Sequence, residues 1–263
     1  MKKILAIAVL LSSMMHTSAQ TNKKTKGKFA DNIVVAHRGA WKTKGLPQNS
    51  IASLQEAVKL GCAGSEFDVH LTADDSLVIN HDADFFGKPI ETSTYAALAE
   101  SKLSNGETIP TLQQYLTAGM QQHTTRLVLE IKPSKISKER AIKATEKIVA
   151  LVHQLKAQPW VMYISFDYDV CKKVKELDKK AEVAYLNGDI APDQIKKDKL
   201  FGVDYHFSVF QKNDAWISEA KANKVNLNAW TVDKPEVMDT LISQQFNYIT
   251  TNEPEVLLEK VKG

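Results

Sequence analysis

The chain has 263 residues, of which 43% are hydrophobic and 25% are charged, and its formal net charge is +3. This composition suits a globular protein with a sizeable core. The near balance of charge excludes the strong basic excess of nucleic-acid-binding proteins, so we expect small-molecule partners and no nucleic acid.

The first 19 residues have the pattern of a secretory signal peptide. Lys2 and Lys3 precede a short apolar run, and small residues lead up to Ala19. The run is far shorter than the ~20 apolar residues of a membrane-spanning helix, so we expect cleavage after Ala19 and no membrane anchor. Residues 20–30 are predicted to be a flexible basic lead-in, and residues 31–263 a single folded domain. The protein is therefore predicted to be exported, as a periplasmic or secreted protein.

Short β-branched or aromatic segments then alternate with amphipathic helical segments. This alternation is typical of repeated β-α units around a parallel sheet, and eight such units predict an α/β fold of the (β/α)8 TIM barrel type. A single barrel commonly occupies the roughly 240 residues that follow the signal peptide. The eight predicted strands are Ile33–Ala36, Ser65–Val69, Leu127–Ile131, Val161–Ser165, Glu182–Leu186, Tyr205–Val209, Val225–Trp230 and Phe246–Thr250.

A ninth strand candidate, Leu77–Asn80, follows the second strand after only a few residues. That connection is too short for a parallel crossover, so it predicts a hairpin with its turn at residues 73–76. Pairing Thr72 with Leu77 in this hairpin brings His81 opposite Asp68. We therefore expect a small hairpin and helical insertion after strand 2.

Charged side chains collect at the C-terminal ends of these predicted strands. Glu66 and Asp68 alternate with apolar residues, and so do Glu130 and Lys132. Because the apolar partners must face the surrounding helices, the alternation turns the charged side chains toward the barrel interior. Active sites of TIM barrels lie at this end of the strands, so we expect these groups to share one cleft.

Three carboxylates in one cleft repel one another unless a cation lies between them. Oxygen ligands favour a hard divalent cation, so we predict one Mg²⁺ or Ca²⁺ held by Glu66, Asp68 and Glu130. His37 ends the first strand and His81 ends the hairpin, which adds two imidazoles to the cleft. Enzymes that catalyse phosphoryl transfer use a cation of this kind together with groups that transfer protons.

Several short motifs follow one another along nearly the whole mature chain. They are "AHRG" at 36–39, "EFDV" at 66–69, "HD" at 81–82, "IPTL" at 109–112, "EIKP" at 130–133, "NAWTVD" at 228–233 and "YITTNEP" at 248–254. At these residues the sequence strongly resembles the glycerophosphodiester phosphodiesterase family.

The resemblance implies a barrel that hydrolyses glycerophosphodiesters to glycerol 3-phosphate and an alcohol. It also implies roles for particular positions, although the spacing around Trp230 fits a core aromatic nearly as well as a substrate contact. The implied roles are metal ligation by Glu66, Asp68 and Glu130, general acid-base catalysis by His37 and His81, phosphate binding by Arg38 and Lys132, and contact of Trp230 with the glycerol moiety.

The sequence departs from the family pattern at three places. Gln48 stands where the family usually has glutamate, which predicts an altered metal preference or affinity. Asn252 stands where aspartate is common. After the "HD" pair the usual Arg-Thr is missing and the chain reads "ADFFGKPI", in which we expect Phe85 and Phe86 to form an apolar wall for the alcohol.

Two other functions fit the same residues. The first is a phospholipase of the sphingomyelinase D or phosphatidylinositol phospholipase C type, which also combines two histidines with a carboxylate-bound cation. The second is a non-catalytic barrel that binds phosphodiesters. Finally, Cys62 and Cys171 lie in apolar contexts, which predicts two buried thiols rather than a disulfide.

Overall fold

The protein is described from a computed structural model that covers residues 29–262. The predicted signal peptide and nearly all of the basic lead-in lie outside the described residues. The strands are β1 (Val34–Ala36), β2 (Gly64–Leu71), β3 (Leu77–Ile79), β4 (Asp84–Phe85), β5 (Lys88–Pro89), β6 (Arg126–Ile131), β7 (Val161–Ser165), β8 (Glu182–Tyr185), β9 (Gly202–His206), β10 (Asn226–Trp230) and β11 (Tyr248–Thr251).

The helices alternate with the strands of the main sheet. They are α1 (Ile51–Leu60), α2 (Tyr95–Ala99), α3 (Leu112–Gly119), α4 (Lys138–Gln154), α5 (Tyr168–Leu177), α6 (Pro192–Lys197), α7 (Phe207–Lys212), α8 (Ala215–Asn223), α9 (Pro235–Ser243) and α10 (Pro254–Lys260), with a short 3₁₀ turn at Ile90–Thr92.

Eight parallel strands close into a ring in the order β1, β2, β6, β7, β8, β9, β10, β11. The ring is closed by β1, which pairs with β11 on one side and with β2 on the other. Sequence analysis predicted this α/β TIM barrel, and the prediction is confirmed. Because the ring has eight members, β9 lies directly across the barrel from β2.

The apolar residues form two layers, as strand alternation requires. Outward-facing residues such as Phe67, Leu129 and Tyr205 pack against the helices in the larger cluster. Inside the barrel, a smaller cluster consists of Val35, Val128, Met162, Ile164, Ala184 and Leu186. This inner cluster fills the barrel beneath the charged strand ends.

The insertion after β2 contains the predicted hairpin, but its register differs from the prediction by one residue. Leu71 pairs with Leu77, so Asp68 lies opposite Asn80, and the Asn80 amide donates to the Asp68 carbonyl. The turn has three residues instead of four, because Asp75 adopts a left-handed conformation with a φ of 61°. The predicted Thr72–Leu77 pairing is therefore wrong.

The sixth predicted strand, Tyr205–Val209, is also misplaced. The strand β9 is Gly202–His206, and the chain turns into helix α7 at Phe207. His206 causes the change, because its Nδ1 accepts a hydrogen bond from the Ser208 amide and caps the helix. The β-branched and aromatic residues that follow His206 were read as a continuing strand.

The two thiols behave as predicted, since Cys62 and Cys171 are free and buried. Among the helices of residues 29–262, none combines the length and apolar character needed to cross a bilayer.

Candidate active site

The loop after β1 turns the backbone toward the acidic strand β2. Arg38 has a left-handed φ of 57°, and its backbone amide donates a 2.8 Å hydrogen bond to Glu66 Oε2. Gly39 follows with a φ of 81°, and a Cβ there would lie 2.4 Å from Ser53 Oγ of α1. Only glycine fits so close to the helix, which explains the glycine of the "AHRG" motif.

Glu66, Asp68 and Glu130 meet at the C-terminal ends of β2 and β6. Each offers a carboxylate oxygen within 4.8 Å of the others, and all three side chains are buried. Lys132 Nζ lies 3.1 Å from Asp68 Oδ1 and 2.9 Å from Glu130 Oε1. Glu130 Oε1 nevertheless makes no hydrogen bond of acceptable angle. The structure thus brings together the three predicted ligands and Lys132.

Burial and mutual repulsion set the protonation of this cluster. Burial, together with the nearby Asp68 and Glu130 charges, raises the pKa of Glu66 well above its usual value. Burial and Asp68 likewise raise the pKa of Glu130 to about 8. Burial is the largest single influence on Asp68, but Lys132, His81, Arg38 and the Asn49 hydrogen bond together outweigh it and hold the pKa of Asp68 below its usual value. The anionic forms of Glu66 and Glu130 are therefore destabilised.

The cluster fits a divalent cation on these grounds. All three donor groups are carboxylates, which suit Mg²⁺ or Ca²⁺. The raised pKa values of the buried Glu66 and Glu130 indicate that Lys132 alone does not balance the negative charge at this place. A bound dication would remove that deficit.

Sequence analysis missed Asn49, which fixes the position of Asp68. Asn49 Nδ2 donates a 2.8 Å hydrogen bond to Asp68 Oδ2, and Asn49 Oδ1 accepts one from the Asp68 amide. Asn49 adopts a left-handed φ of 58°, a conformation that asparagine tolerates better than most residues. An asparagine directly before the helix-capping Ser50 was the available signal.

A chain of hydrogen bonds fixes the tautomer of His37. The Asp233 carboxylate only accepts, so the Asn252 atom 2.8 Å away from it is the donor Nδ2. Asn252 Oδ1 is then an acceptor, and it lies 2.8 Å from His37 Nδ1, which must carry the proton. His37 Nε2 is left with its lone pair, 4.0 Å from Glu66 Oε2. Burial and Arg38 lower the pKa of His37 to about 4.

His81 lies in a different environment, at the exposed rim of the same cleft. Its Nδ1 is 2.7 Å from Asp82 Oδ1. Its backbone carbonyl lies 3.3 Å from His70 Nε2, which donates to it. His70 is buried, as its position at the base of the hairpin requires. One imidazole of the cleft therefore has an amide partner, and the other has a carboxylate.

A cavity of about 100 Å³ opens beside these groups. His37, Arg38 and His81 line it with Glu66 and Glu130, while Ile164, Phe166 and Leu186 supply an apolar wall. Trp230 also lines it, at a ring-centroid distance of 5.4 Å from Phe166, and its indole Nε1 donates to the Asp204 carbonyl. The Asp204 side chain, which sequence analysis did not select, reaches the same cavity from β9.

Phe85 lies elsewhere than expected. Its ring is 4% exposed and packs with Val78, Ile90 and Leu98 in the small core of the insertion, away from the residues that line the cavity. The expectation of an apolar wall at Phe85 is therefore wrong, because the ring is needed to fold the insertion. Phe86, at the tip of the β4–β5 hairpin, is the exposed ring. Gln48 accepts a 2.7 Å hydrogen bond from the Arg38 guanidinium.

Comparison with known proteins gives a consistent result. The family model described as "Glycerophosphoryl diester phosphodiesterase family" matches residues 37–256. A glycerophosphodiester phosphodiesterase from Caldanaerobacter subterraneus is 28% identical over 88% of this chain and 98% of its own. A crystal structure of such an enzyme from Parabacteroides distasonis is 42% identical, with a TM-score of 0.85, and covers 90% of this chain and 98% of that one.

A more distant structure shares the fold. An Oleispira antarctica phosphodiesterase, solved in complex with the product sn-glycerol-3-phosphate, is 24% identical with a TM-score of 0.73 over 88% of this chain and 97% of that one. The family match spans both histidines, the three acids and Trp230. This chain belongs to the glycerophosphodiester phosphodiesterase family and is a phosphoric diester hydrolase.

Proposed function

We propose that the protein hydrolyses glycerophosphodiesters to glycerol 3-phosphate and an alcohol in a metal-dependent reaction. The observation that carries the proposal is the meeting of three buried carboxylates, two imidazoles and a guanidinium around one cavity. Membership of the family supports the substrate class. The product bound to the Oleispira antarctica protein, whose fold is similar, agrees with it.

Glu66, Asp68 and Glu130 would hold the cation, Mg²⁺ or Ca²⁺ by the chemistry of the donors. When bound, it supplies Lewis-acid polarisation of the phosphoryl oxygens. The Arg38 guanidinium contributes hydrogen bonds to the phosphate, oriented by its contact with Gln48. Lys132, held between Asp68 and Glu130, compensates their charge and supplies a second cationic donor at the edge of the phosphate site. Trp230 offers its indole face to the glycerol carbons.

The two histidines divide the proton transfers. His37 is the general base, because the amide of Asn252 leaves Nε2 unprotonated and facing the cavity. His81 is the general acid, because the Asp82 carboxylate stabilises the imidazolium that must donate to the leaving alkoxide. Whether the nucleophile is the glycerol 2-hydroxyl or a water, His37 removes its proton.

The test compares two variants on two substrates. His37→Ala and His81→Ala are expected to lower kcat on glycerophosphocholine by ~100-fold or more, the usual contribution of an acid-base group. With a glycerophospho-4-nitrophenyl diester, whose leaving group needs no proton, His81→Ala is expected to regain most of the activity and His37→Ala none.

His153→Ala is the matched control, since His153 pairs with Asp178 outside the cavity. Cation-induced thermal stabilisation is expected to survive in all three variants. Near-full activity of both His37→Ala and His81→Ala would disprove the assignment. Faster turnover of phospholipid vesicles than of soluble diesters would favour the phospholipase alternative, and binding without turnover would favour the non-catalytic one.

A further inference from the structure

One buried carboxyl group of the cavity has no role in the proposed chemistry. Asp204 lies on β9, four strands away from β2 in either direction around the ring. It therefore faces the acid cluster from the opposite wall of the barrel. Its side chain lines the same cavity as His37, Glu66 and Trp230.

Asp204 has no partner that would explain its burial. The residue is 2% exposed, and its Oδ1 makes no hydrogen bond. Among the ion pairs of residues 29–262, none includes Asp204. Its neighbours in the cavity wall include the apolar Ile164 and Leu186. Burial alone raises the pKa of Asp204 to about 7. Such an acid destabilises the fold unless something binds to it.

The adjacent strand β10 also carries a buried polar side chain without a hydrogen bond. Asn228 is the register partner of Asp204 on β10, and it is 1% exposed. Its flanking residues Leu227 and Ala229 belong to the outer core, so alternation turns Asn228 inward. Neither Oδ1 nor Nδ2 of Asn228 makes a hydrogen bond. An unpartnered acceptor and an unpartnered amide thus lie at paired positions of β9 and β10, and of the two residues Asp204 lines the cavity.

We propose that Asp204 binds the terminal hydroxyl of the glycerol moiety and makes the enzyme specific for glycerol. The inference rests on the proposed function. The acids and Arg38 place the phosphate at the wall formed by β1, β2 and β6, and the terminal hydroxyl is the glycerol atom farthest from phosphorus. Trp230 donates to the Asp204 carbonyl and lines the same cavity, so it would contact the carbons between the two ends.

The chemistry of the pair favours a hydroxyl over an ammonium group. A hydroxyl both donates and accepts, so it can donate to Asp204 and accept from the amide of Asn228. An ammonium group only donates and would leave that amide without a partner. A site built around a hydroxyl rejects the analogue that lacks it, because its buried polar groups are then left unpaired.

The experiment measures kcat/KM for three diesters. They are glycerophosphocholine, its 1-deoxy analogue built on propane-1,2-diol, and bis(4-nitrophenyl) phosphate, which has no glycerol. The analogue keeps the 2-hydroxyl, so any role of that group as nucleophile is preserved. We expect the wild-type enzyme to prefer glycerophosphocholine over the analogue by at least ~100-fold.

Asp204→Ala is expected to abolish that preference. The substitution is expected to lower kcat/KM for glycerophosphocholine by a similar factor. For the other two substrates, kcat/KM is expected to change by less than about threefold. The matched control is Asp178→Ala, because the Asp178 carboxyl group lies on the outside of the barrel. We expect this variant to keep the wild-type preference. Should Asp204→Ala not fold, Asp204→Asn keeps the shape of the side chain and is expected to reduce the preference.

Equal wild-type rates on glycerophosphocholine and its analogue overturn the inference while leaving the proposed function intact. An equal loss of activity on all three substrates in Asp204→Ala also overturns it, because a general structural role would cause that. Failure of the wild-type enzyme to hydrolyse any of the three with Mg²⁺ or Ca²⁺ present would overturn the proposed function and this inference with it.

Discussion

Glu66, Asp68 and Glu130 repel one another electrostatically. These residues are buried within 4.8 Å of one another, and Lys132 compensates only part of their charge. For Glu66 and Glu130, whose pKa values are raised, stability without metal and affinity for metal oppose each other: the anionic form that binds a cation weakens the metal-free fold. The residues selected for chemistry are therefore not the residues that stabilise the barrel.

Glu130→Gln should separate these two effects. The neutral amide removes one member of the repelling group, so we expect a higher melting temperature than wild type in the presence of a chelator. We also expect a smaller rise in melting temperature on titration with Mg²⁺ or Ca²⁺, because one anionic ligand is lost. Thermal denaturation across a cation series checks both. An unchanged response to the cation would contradict ligation by Glu130.

Asp204 gives the protein a pH-dependent stability of definite sign. Its pKa is about 7 in the folded protein and near 3.9 when unfolded. Between these values the folded state holds a proton that the unfolded state has lost, so this group makes stability fall as pH rises toward 7, and the full loss persists above it. Asp204→Asn should therefore exceed wild type in stability by an amount that grows up to about pH 7 and then levels off.

Urea denaturation of both proteins at a series of pH values measures this difference. It reaches several kcal/mol at most, since one pKa unit corresponds to about 1.4 kcal/mol. A variant that is less stable than wild type at pH 8 would contradict the prediction. If Asp204→Asn is more stable than wild type but less selective, Asp204 serves ligand binding and not the stability of the fold.

The junction between β1 and α1 determines where His37 and Arg38 lie. It contains two non-glycine residues with left-handed backbone, Arg38 and Asn49, whose groups bind Glu66 and Asp68 respectively. Gly39 brings the start of α1 close enough for this arrangement. The local backbone therefore positions two of the proposed metal ligands, which belong to another strand.

Gly39→Ala is predicted to disturb both stability and activity. The added Cβ meets Ser53 at 2.4 to 2.6 Å and also adopts an unfavourable φ. We expect a loss of ~2 kcal/mol or more in the free energy of unfolding, with a lower kcat. Gly45→Ala is the matched control: its φ is 61° but nothing lies within 4 Å of the new Cβ, so only about 1 kcal/mol is expected. Equal effects would show that close packing at Gly39 is unimportant.

Strand-level reasoning predicted the barrel and the convergence of His37, Glu66, Asp68 and Glu130, because alternation along a strand is a local property. It placed the β2–β3 register one residue away, since the left-handed Asp75 that shortens the turn is not evident from composition. Asn49, Asn252 and Asp204 depend on partners distant in sequence. The approach of Asn252 to His37 and of Asp204 to the cavity arises only when the ring closes, and no local pattern encodes either, whereas the helix cap beside Asn49 was a local signal.

In the sequence, the barrel domain follows an N-terminal segment that has the pattern of an export signal. We propose that the enzyme acts outside the cytoplasm on diesters released from membrane lipids, and the choice between periplasm and medium is part of that proposal.

Expression of the full sequence in a Gram-negative host tests export. We expect the protein in the periplasmic or extracellular fraction, with an intact mass that corresponds to a chain beginning at Gln20. Replacing Lys2 and Lys3 by glutamate removes the positive start of the signal and should retain the uncleaved chain inside the cell. Cytoplasmic wild-type protein of full mass would contradict export.

Closure of the ring by β11 against β1 also governs when a newly made chain becomes catalytically active. A chain halted before residue 248 already carries both imidazoles and every carboxylate of the cluster, yet it lacks Asn252, the amide that sets the proton on His37. Turnover must therefore await the last strand. The appearance of activity during synthesis or refolding would report completion of the whole domain, whereas cation uptake by the early strands could precede it.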